Sequence, residues 1–548
     1  MTAMLAPHRL LLAALALAAA RTWGGQPDRP DQPDQPPTDA PTTPPSAPPA
    51  AAVTLPTIPP AAPPPAPPIP LPDEPPVVTR HELRVGERTL VYYATVGFLP
   101  LKNERDETEA RLFFIAYTLG TPEGDRNRPL MVSFNGGPGS SSVWLHLGGL
   151  APRRVRMLDD GAMPPPPFQL VDNEHTWLEE TDLVFVDPVD TGYSRAATPE
   201  IARRFRGVDG DLASVGEFIR LYLTRAGRWA SPLFLVGESY GTFRAAGLAG
   251  RLVEQGIAFN GIVLVSSILQ MQTARFDEGN DLPYVLFLPT YAATAWYHGK
   301  LPTDLQARDL AAVLAEVEAW AAGDYTVALA RGSALPAAER AAVAERLARY
   351  TGLSPRYVEL SNLRVQIHRF CKELLRDQGR TVGRLDSRYT GFDALGVAET
   401  PDFDPSLSAI RPPFTTMLND HLRTTLGFRT DAEYHILRGL EWDWGKAGEG
   451  YPRTSGDLAA AFAKNPYLHL FVASGFYDLA TPYFATTYTL DHLALEPAAR
   501  ANIHTGSYPV GHMVYLEANT LARLKADVAA FIRAATSVAD QPLRPAGG

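Results

Sequence analysis

The stretch that decides the fold is Pro232-Leu-Phe-Leu-Val-Gly-Glu-Ser-Tyr-Gly241, an apolar run that ends in Gly-Glu-Ser-Tyr-Gly. Residues 233–236 are typical of a buried strand, and residues 242–255, rich in alanine and glycine, predict a helix that packs closely against a sheet. At such a strand-to-helix turn the G-x-S-x-G pattern strains the serine backbone, and a Cβ on either side would clash. The stretch therefore predicts a nucleophile at Ser239, with a purely structural turn as the alternative.

Short apolar runs separated by helical patterns lie on both sides of this stretch. A hairpin is predicted at 83–85 and 90–93, and further strands at 112–117, 130–134, 183–187, 233–236, 262–265, 468–474 and 501–505. Such runs predict an α/β fold with a mostly parallel sheet covered by helices on both faces. The pattern from about 272 to 452 is largely helical instead, so we expect a helical cap inserted into the domain.

The N-terminal segments differ in composition from the rest of the chain. Residues 1–20 place His8-Arg9 before an apolar run that ends in Ala18-Ala19-Ala20, which predicts a cleaved signal peptide and a secreted or periplasmic protein. The run is shorter than the roughly 20 residues of a membrane span, so we expect no stable membrane insertion after cleavage. Residues 21–76 predict a proline-rich disordered linker, acting as a spacer or only as a solubilising tail.

The remaining chain divides into a catalytic domain at 77–535 and a tail at 536–548. Its composition is that of an ordinary globular protein, and the net charge of the whole chain, -10, argues against nucleic acid as a partner. The single cysteine, Cys371, lies in a helical pattern and is interpreted as a core residue instead of a reactive thiol. The sequence gives no indication of the oligomeric state.

A nucleophilic serine needs a base, and the base needs an acid that orients it. In α/β-hydrolases these groups follow in the order serine, acid, histidine. Asp478 ends a predicted strand and a glycine turn, and His512 lies in a loop with Gly and Pro before a helix predicted at 521–534. The ordered set predicts a catalytic triad of Ser239, Asp478 and His512, although Asp478 alone could be a solvated turn residue.

The glycine-rich run Asn135-Gly-Gly-Pro-Gly139 directly follows the strand predicted at 130–134. Backbone N–H groups in such a loop can converge on a developing negative oxygen. We therefore assign the oxyanion donors to the N–H groups of Gly137 and Tyr240. A phosphate loop is the alternative, but the Lys-Ser/Thr ending of that motif is missing.

Four motifs together resemble the serine carboxypeptidases of peptidase family S10. They are Asn135-Gly-Gly-Pro-Gly-Ser-Ser-Ser142, Val186-Asp-Pro-Val-Asp-Thr-Gly-Tyr-Ser194, Gly237-Glu-Ser-Tyr-Gly241 and Gly511-His-Met513, in the family's order. The resemblance implies an α/β-hydrolase fold with a helical cap, no metal or organic cofactor, and removal of C-terminal residues from a peptide substrate. It also implies that Asn135 and Glu238 bind the substrate's C-terminal carboxylate.

Three positions depart from the family pattern. Ser133 replaces the usual tryptophan, Ser140 replaces the usual cysteine, and Gly149 aligns with an acid that helps to hold the carboxylate-binding glutamate. The triad is thus complete while the exopeptidase pocket is only partly kept. An esterase, acyltransferase or other peptidase of the same fold is one alternative, and an inactive envelope-binding protein is another.

Glu238 has a hypothesis of its own, with an incidental acidic turn residue as the alternative. If Glu238 faces a terminal carboxylate, the two carboxyl groups cannot both stay charged cheaply and should share a proton. Binding then needs acid, whereas His512 must be neutral to act as a base. We therefore expect free-acid and amidated peptides to have different pH profiles.

Overall fold

The computed structural model describes residue 69 and residues 71–445 and 450–537. The predicted signal peptide at 1–20, most of the predicted linker and the tail from residue 538 lie outside the described residues. In the described ranges, no helix combines the length and the apolar character that a membrane span requires.

Fourteen strands are present in the described residues. They are β1 Val77–Val85, β2 Arg88–Lys102, β3 Thr108–Leu119, β4 Leu130–Phe134, β5 Arg153–Val155, β6 Leu170–Asp172, β7 Asp182–Val186, β8 Arg195–Ala196, β9 Leu233–Ser239, β10 Gly261–Ser267, β11 Thr381–Val382, β12 Thr390–Gly391, β13 His469–Gly475 and β14 Ile503–Tyr508. Each predicted strand corresponds to one of these, and the first three are longer than predicted.

The α-helices of the described residues alternate with the strands and also fill the region between β10 and β13. They are α1 Val143–Leu145, α2 Pro199–Phe205, α3 Val208–Arg225, α4 Tyr240–Glu254, α5 Leu282–Tyr297, α6 Thr303–Gln306, α7 Leu310–Trp320, α8 Thr326–Arg331, α9 Ala337–Thr351, α10 Pro355–Leu360, α11 Ile367–Glu373, α12 Pro405–Asp420, α13 Ser455–Lys464, α14 Tyr483–Asp491, α15 Pro497–Arg500 and α16 Ala518–Ser537. The helix predicted at 242–255 is α4, and the terminal helix predicted at 521–534 is α16.

One large sheet organises the fold, with the strand order β1-β2-β3-β7-β4-β9-β10-β13-β14. β7, β4, β9, β10, β13 and β14 pair in parallel, and β1, β2 and β3 add an antiparallel edge. β9 lies in the middle of the sheet. This is the mostly parallel sheet of an α/β-hydrolase fold, as the resemblance implied.

Helices cover the sheet on both faces because its central strands are apolar on both sides. Across the register, Val132, Leu235, Ile262 and Leu470 form one row, which belongs to the hydrophobic core beneath α3, α4 and α13. The next residues along the strands face a second core with α12 and α16. Successive side chains of a strand point to opposite faces, which places these two rows on opposite sides.

The region between β10 and β13 has a hydrophobic core of its own. Side chains of α5, α7, α9 and α11 form this core together with residues of the β13–α14 loop, including Tyr477 and Leu479. Cys371 of α11 is buried in it with 1% of its surface exposed, in agreement with its interpretation as a core residue. Burial also raises the pKa of the Cys371 thiol, which makes the thiolate inaccessible at neutral pH.

Candidate active site

Ser239 ends β9 and caps α4 in a backbone conformation that non-glycine residues rarely adopt. Its φ is 59° and its ψ is -130°, a geometry that costs on the order of 1–3 kcal/mol and is found mostly at functional sites. The side chain is partly exposed. Thr242 Oγ1 donates to the carbonyl of Ser239 at 2.7 Å and so fixes the first turn of α4. The strand, turn and helix predicted around the serine are therefore all present.

Glycines surround the turn because other backbone atoms pass directly against it. A Cβ on Gly237 would lie 2.1 Å from the carbonyl oxygen of Gly241, and a Cβ on Gly241 would lie 2.6 Å from that of Phe134. A Cβ on Gly136 would lie 2.4 Å from the backbone nitrogen of Tyr240. The glycine-rich loop therefore packs directly against the serine turn, and no side chain fits between them.

Asp478 and His512, the predicted acid and base of the triad, are in direct contact. His512 Nδ1 lies 2.7 Å from Asp478 Oδ2, and both side chains are buried. Asp478 also accepts hydrogen bonds from the backbone N–H groups of Ala480 and Thr481, at 2.7 and 3.0 Å, and from Thr481 Oγ1 at 2.7 Å. With four donors around it, the carboxylate holds a fixed orientation, and Nδ1 of His512 is the nitrogen that carries the proton.

The backbone of His512 is fixed from two sides. Its N–H donates to the carbonyl of Leu385 at 2.7 Å, and its carbonyl accepts from Ser266 Oγ at 2.5 Å. The preceding Gly511 N–H donates to Asp386 Oδ2 at 3.1 Å. Leu385 and Asp386 lie between β11 and β12, so the region predicted as a cap holds the histidine loop in position.

The sheet brings the serine and the histidine to the same edge. Ser239 lies opposite Ser267 in the β9–β10 register, and the neighbouring Ser266 donates to His512. In the described residues the Ser239 hydroxyl has no hydrogen-bond partner, and it forms no hydrogen bond with His512. Such bonds are often long in enzymes without substrate and tighten when substrate binds.

The pKa of His512 is set by opposing effects. Burial lowers it, but the charge of Asp478, the hydrogen bond to Asp478 and the charge of Glu238 together raise the pKa above its ordinary value. A base in this position is neutral only above its pKa. The geometry can therefore support proton transfer from a serine hydroxyl, with activity lost as the pH falls.

The glycine-rich loop presents a free backbone donor near the serine. The N–H of Gly137 donates to no acceptor in the described part of the chain, and φ of Gly137 is 106°. Tyr240 is the first residue of α4, where backbone N–H groups lack a partner within the helix. Since Gly136 packs against the Tyr240 nitrogen, these two N–H groups can serve one negative oxygen.

The motif at 186–194 anchors the glycine-rich loop. Asp187 Oδ1 accepts from the N–H of Ser142 at 2.8 Å, and Ser194 Oγ donates to the Asp187 carbonyl at 2.6 Å. A Cβ on Gly192 would lie 1.7 Å from Asp187 Oδ2. Burial raises the pKa of Asp187 to about 7. This motif thus has a structural explanation, which is to anchor the turn after the glycines.

Glu238 and Asn135, predicted to act together, are hydrogen-bonded to each other. Asn135 Nδ2 donates to Glu238 Oε1 at 3.0 Å, while Asn135 Oδ1 accepts from the N–H of Leu145 at 3.0 Å. The carbonyl of Asn135 accepts from the buried Arg244 at 2.7 Å. These contacts fix the orientation of the amide beside Glu238.

The carboxyl group of Glu238 is buried and has a raised pKa. Only 3% of the residue is exposed. Burial raises the pKa to about 7, against the charge of His512 and the hydrogen bonds from Tyr515 and Asn135, which lower it. The charge of Asp478 acts in the same direction as burial. Near neutral pH this carboxyl can therefore be protonated and donate to a second carboxylate.

The sequence did not indicate several residues that complete the site. Tyr515 donates to Glu238 Oε2 at 2.5 Å, Thr481 binds Asp478, and Asp386 holds Gly511. Thr481 could have been found from its position three residues after Asp478 in the same turn. Neither Tyr515 nor Asp386 belongs to a pattern that sequence reasoning would single out.

A metal centre has no candidate in the part of the chain that the structure describes. No three His, Cys, Asp or Glu side chains in residues 71–445 and 450–537 are grouped as metal ligands would be.

Comparison with known proteins finds a match to one family model and similarity to plant and yeast carboxypeptidase relatives. The sequence model of the serine carboxypeptidase family matches residues 89–272. Serine carboxypeptidase-like 5 of Arabidopsis thaliana is 27% identical over 157 residues, which are 28% of this chain and 33% of that protein. The pheromone-processing carboxypeptidase KEX1 of Saccharomyces cerevisiae is 36% identical over 103 residues, or 18% of this chain and 13% of that protein. The chain thus matches a third or less of the length of these two relatives.

Among solved structures, the chain is similar to a prohormone-processing carboxypeptidase from Saccharomyces cerevisiae. The TM-score is 0.49 and the identity 15%, over 80% of this chain and 91% of the other.

The family match and the site concern overlapping parts of the molecule. Residues 89–272 contain the glycine-rich loop, the motif at 186–194 and the serine turn. The downstream aspartate and histidine lie outside that range, but the structure places them in contact with each other beside the β10 end that adjoins the serine. The part of the chain that contains the glycine-rich loop and the serine turn is therefore similar to the serine carboxypeptidase family, peptidase family S10.

Proposed function

We propose that the protein is a serine-type carboxypeptidase that releases C-terminal residues from peptides through an acyl-enzyme on Ser239. The observation that carries this proposal is the buried Glu238 carboxyl, directly beside the strained serine and held by Asn135 at 3.0 Å. Activation of a serine does not need a carboxyl group there. A protonated carboxyl group there can donate to a substrate's terminal carboxylate.

The reaction follows from the positions of the triad. Ser239 Oγ attacks the carbonyl carbon of the last peptide bond while His512 takes its proton. The tetrahedral oxygen becomes negative and is bound by the N–H groups of Gly137 and Tyr240. Collapse breaks the C–N bond, and His512 returns the proton to the departing amino group. Asp478 keeps His512 in the required tautomer and stabilises its positive charge.

Water then completes the cycle. It gives a proton to His512 and adds its oxygen to the acyl carbon of the ester on Ser239. When this second tetrahedral intermediate collapses, the ester bond breaks and the serine oxygen recovers the proton. The products are the shortened peptide and one free amino acid, and the reaction consumes one water molecule.

Exopeptidase specificity is assigned to Asn135 and Glu238. The second N–H of Asn135 and the proton of Glu238 can both donate to a terminal carboxylate. An unprotonated Glu238 would repel the same group, because two buried carboxylates in contact cannot both stay charged cheaply. The free-acid end of a peptide is therefore bound best while Glu238 is protonated.

Digestion of a defined peptide library by the mature protein, followed by mass spectrometry, tests this function. Stepwise trimming from the C-terminus is expected, and the same peptides with amidated ends should be trimmed more slowly. Internal cuts would identify an endopeptidase of the same fold, and ester cleavage without peptide cleavage would identify an esterase. A protein that is labelled by no fluorophosphonate and cuts nothing would be a binding scaffold.

We also propose a secreted or periplasmic location and a cap formed by residues 272–452. The location is supported by the signal-like pattern of residues 1–20, and the cap by the separate hydrophobic core between β10 and β13. Sequencing of the mature N-terminus tests the first point. A cytoplasmic protein that retains residues 1–20 would contradict it.

A further inference from the structure

Tyr515 connects the histidine loop with the residue beside the serine. It lies three residues after His512, and its hydroxyl donates to Glu238 Oε2 at 2.5 Å. Tyr515 has 1% of its surface exposed, so this bond is shielded from water. Asn135 binds the other carboxyl oxygen of Glu238. The carboxyl group is thus held from both sides by groups that carry no charge.

The ring of Tyr515 occupies the space that two glycines leave open. A Cβ on Gly148 would lie 2.2 Å from Cε2 of Tyr515, and a Cβ on Gly149 would lie 2.9 Å from its Cβ. These glycines belong to a π-helical turn, His146–Leu150. No larger side chain fits at either position while Tyr515 is present. The glycines and the tyrosine therefore form one packing unit, and Tyr515 is the only hydrogen-bonding side chain that this unit brings to Glu238.

We propose that Tyr515 is a positioning residue of the terminal-carboxylate site, which orients the Glu238 carboxyl and leaves Glu238 as the single titrating carboxyl group of that site. This inference rests on the proposed carboxypeptidase function. The phenol donates to one carboxyl oxygen and Asn135 to the other, so the carboxyl plane is fixed. A proton on Glu238 is then directed toward the incoming carboxylate instead of rotating among neighbours.

The surroundings of Glu238 determine the sign of its pH dependence. The groups that face it are His512 and Tyr515 from the histidine loop, Asp478 from the end of β13, and Asn135 from the glycine-rich loop. Tyr515 stays protonated because burial and the charge of Glu238 raise its pKa well above the ordinary value. Its hydrogen bond stabilises the ionised form of Glu238. Loss of that bond should raise the pKa of Glu238 and extend free-acid binding to higher pH.

Tyr515→Phe tests the inference because it removes the hydroxyl and keeps the ring over Gly148 and Gly149. We expect the ratio of kcat/KM for a free-acid peptide to kcat/KM for its amide to fall about 3- to 10-fold at pH 5, the size of one hydrogen bond. The loss should lie mainly in KM. The alkaline limb of the free-acid profile should move to higher pH, and the limb of the amide, which reports on His512, should move less.

Tyr508→Phe is the matched control. Tyr508 is buried and donates to Asp527 Oδ2 at 2.7 Å, so this variant also breaks a phenol–carboxylate bond, but away from the serine. It should change thermal stability without changing the ratio. As a readout independent of turnover, the infrared band of protonated Glu238, identified by its loss in Glu238→Gln, should persist to higher pH in Tyr515→Phe.

Three outcomes separate this inference from the proposed function. A wild-type protein that shows no preference for free-acid ends at any pH contradicts the carboxypeptidase function itself. A wild-type preference that Tyr515→Phe leaves unchanged, with an unchanged infrared titration, overturns the role of Tyr515. Equal losses on both substrates with an unshifted limb also overturn it, because they indicate that the hydroxyl only stabilises the fold.

Discussion

A buried carboxyl group lies on each side of Ser239, Asp478 on one and Glu238 on the other. Each is bound by an aromatic side chain of the histidine loop, but the two differ in the number of their hydrogen-bond donors. Asp478 is bound by His512 and also by two backbone N–H groups and Thr481. Among the described residues, Glu238 has only two donors, Asn135 and Tyr515. The number of donors around a buried carboxylate decides whether its charge is stabilised. One loop thus contacts a carboxylate with four hydrogen-bond donors on one side and, with a pKa raised to about 7, a titrating group on the other.

Under the proposed carboxypeptidase function, this difference separates two tasks. The Asp478 side must hold a histidine in one tautomer at every working pH, so a fully bound carboxylate suits it. The Glu238 side must accept a substrate carboxylate, so a carboxyl that takes up a proton suits it better. Changes on the first side should affect all substrates alike, and changes on the second side should depend on the end group of the peptide and on pH.

The largest effect is expected from the groups that carry out proton transfer and attack. Ser239→Ala or His512→Ala should lower kcat by on the order of 10⁶, the size seen when a triad is dismantled. Both free-acid and amidated peptides should lose this activity. Fluorophosphonate labelling of intact protein, mapped by mass spectrometry, should vanish in Ser239→Ala. Labelling that persists in this variant would contradict the assignment of Ser239 as the nucleophile.

Asp478→Asn should have the next largest effect. The amide can donate where the carboxylate accepted, so His512 is held in the wrong tautomer, and kcat should fall about 10⁴-fold on both substrates. Steady-state kinetics at several pH values measure this. A loss confined to free-acid peptides would show that Asp478 belongs to substrate binding and would erase the difference between the two sides.

Glu238→Gln should separate substrates by their end group. The wild type should lose free-acid activity as the pH rises through about 7, the pKa of Glu238, whereas the amide should gain activity until His512 is neutral. The variant has no proton to lose, so its preference for free acids should persist at high pH. The glutamine amide cannot accept from both Asn135 and Tyr515, so some free-acid activity should be lost at low pH.

Glu238→Gln should also shift the acidic limb of the pH profile. The charge of Glu238 helps to raise the pKa of His512. Its removal should lower that pKa, and the acidic limb of both substrates should move to lower pH. Identical pH profiles for the free-acid and amidated forms of one peptide, in the wild type, would refute the proposed role of Glu238.

Thr481→Val should give the smallest effect. It removes one donor to Asp478 at 2.7 Å and leaves the two backbone donors, so kcat should fall about 10-fold, as for the loss of one hydrogen bond to a charged group. The free-acid to amide ratio should stay the same, because this side does not contact the end group. A changed ratio would mean that the two sides are coupled.

Features that depend on residues close together in the sequence could be predicted, whereas features that depend on contacts between distant residues could not. The strand, the serine turn and α4 are local, since the glycines and small residues that they need are adjacent in the chain. The order of the strands in the sheet could not be predicted from the sequence. The alternation of apolar runs with helical patterns was visible in it and predicted the mostly parallel sheet. The triad predicted at Ser239, Asp478 and His512 came from the order serine, acid, histidine of α/β-hydrolases.

Only the tertiary structure decided how the carboxyl groups are held. Tyr515 and Glu238 are separated by 277 residues, and their contact depends on the path of the histidine loop over Gly148 and Gly149. The sequence showed that Gly149 lacks an acid, but not that Tyr515 packs against this glycine and donates to Glu238. The raised pKa of Glu238 likewise comes from burial among distant elements. Sequence determined which chemical groups are present and in what order, whereas packing decided which of them meet and which stay charged, because burial and hydrogen bonds arise only between folded segments.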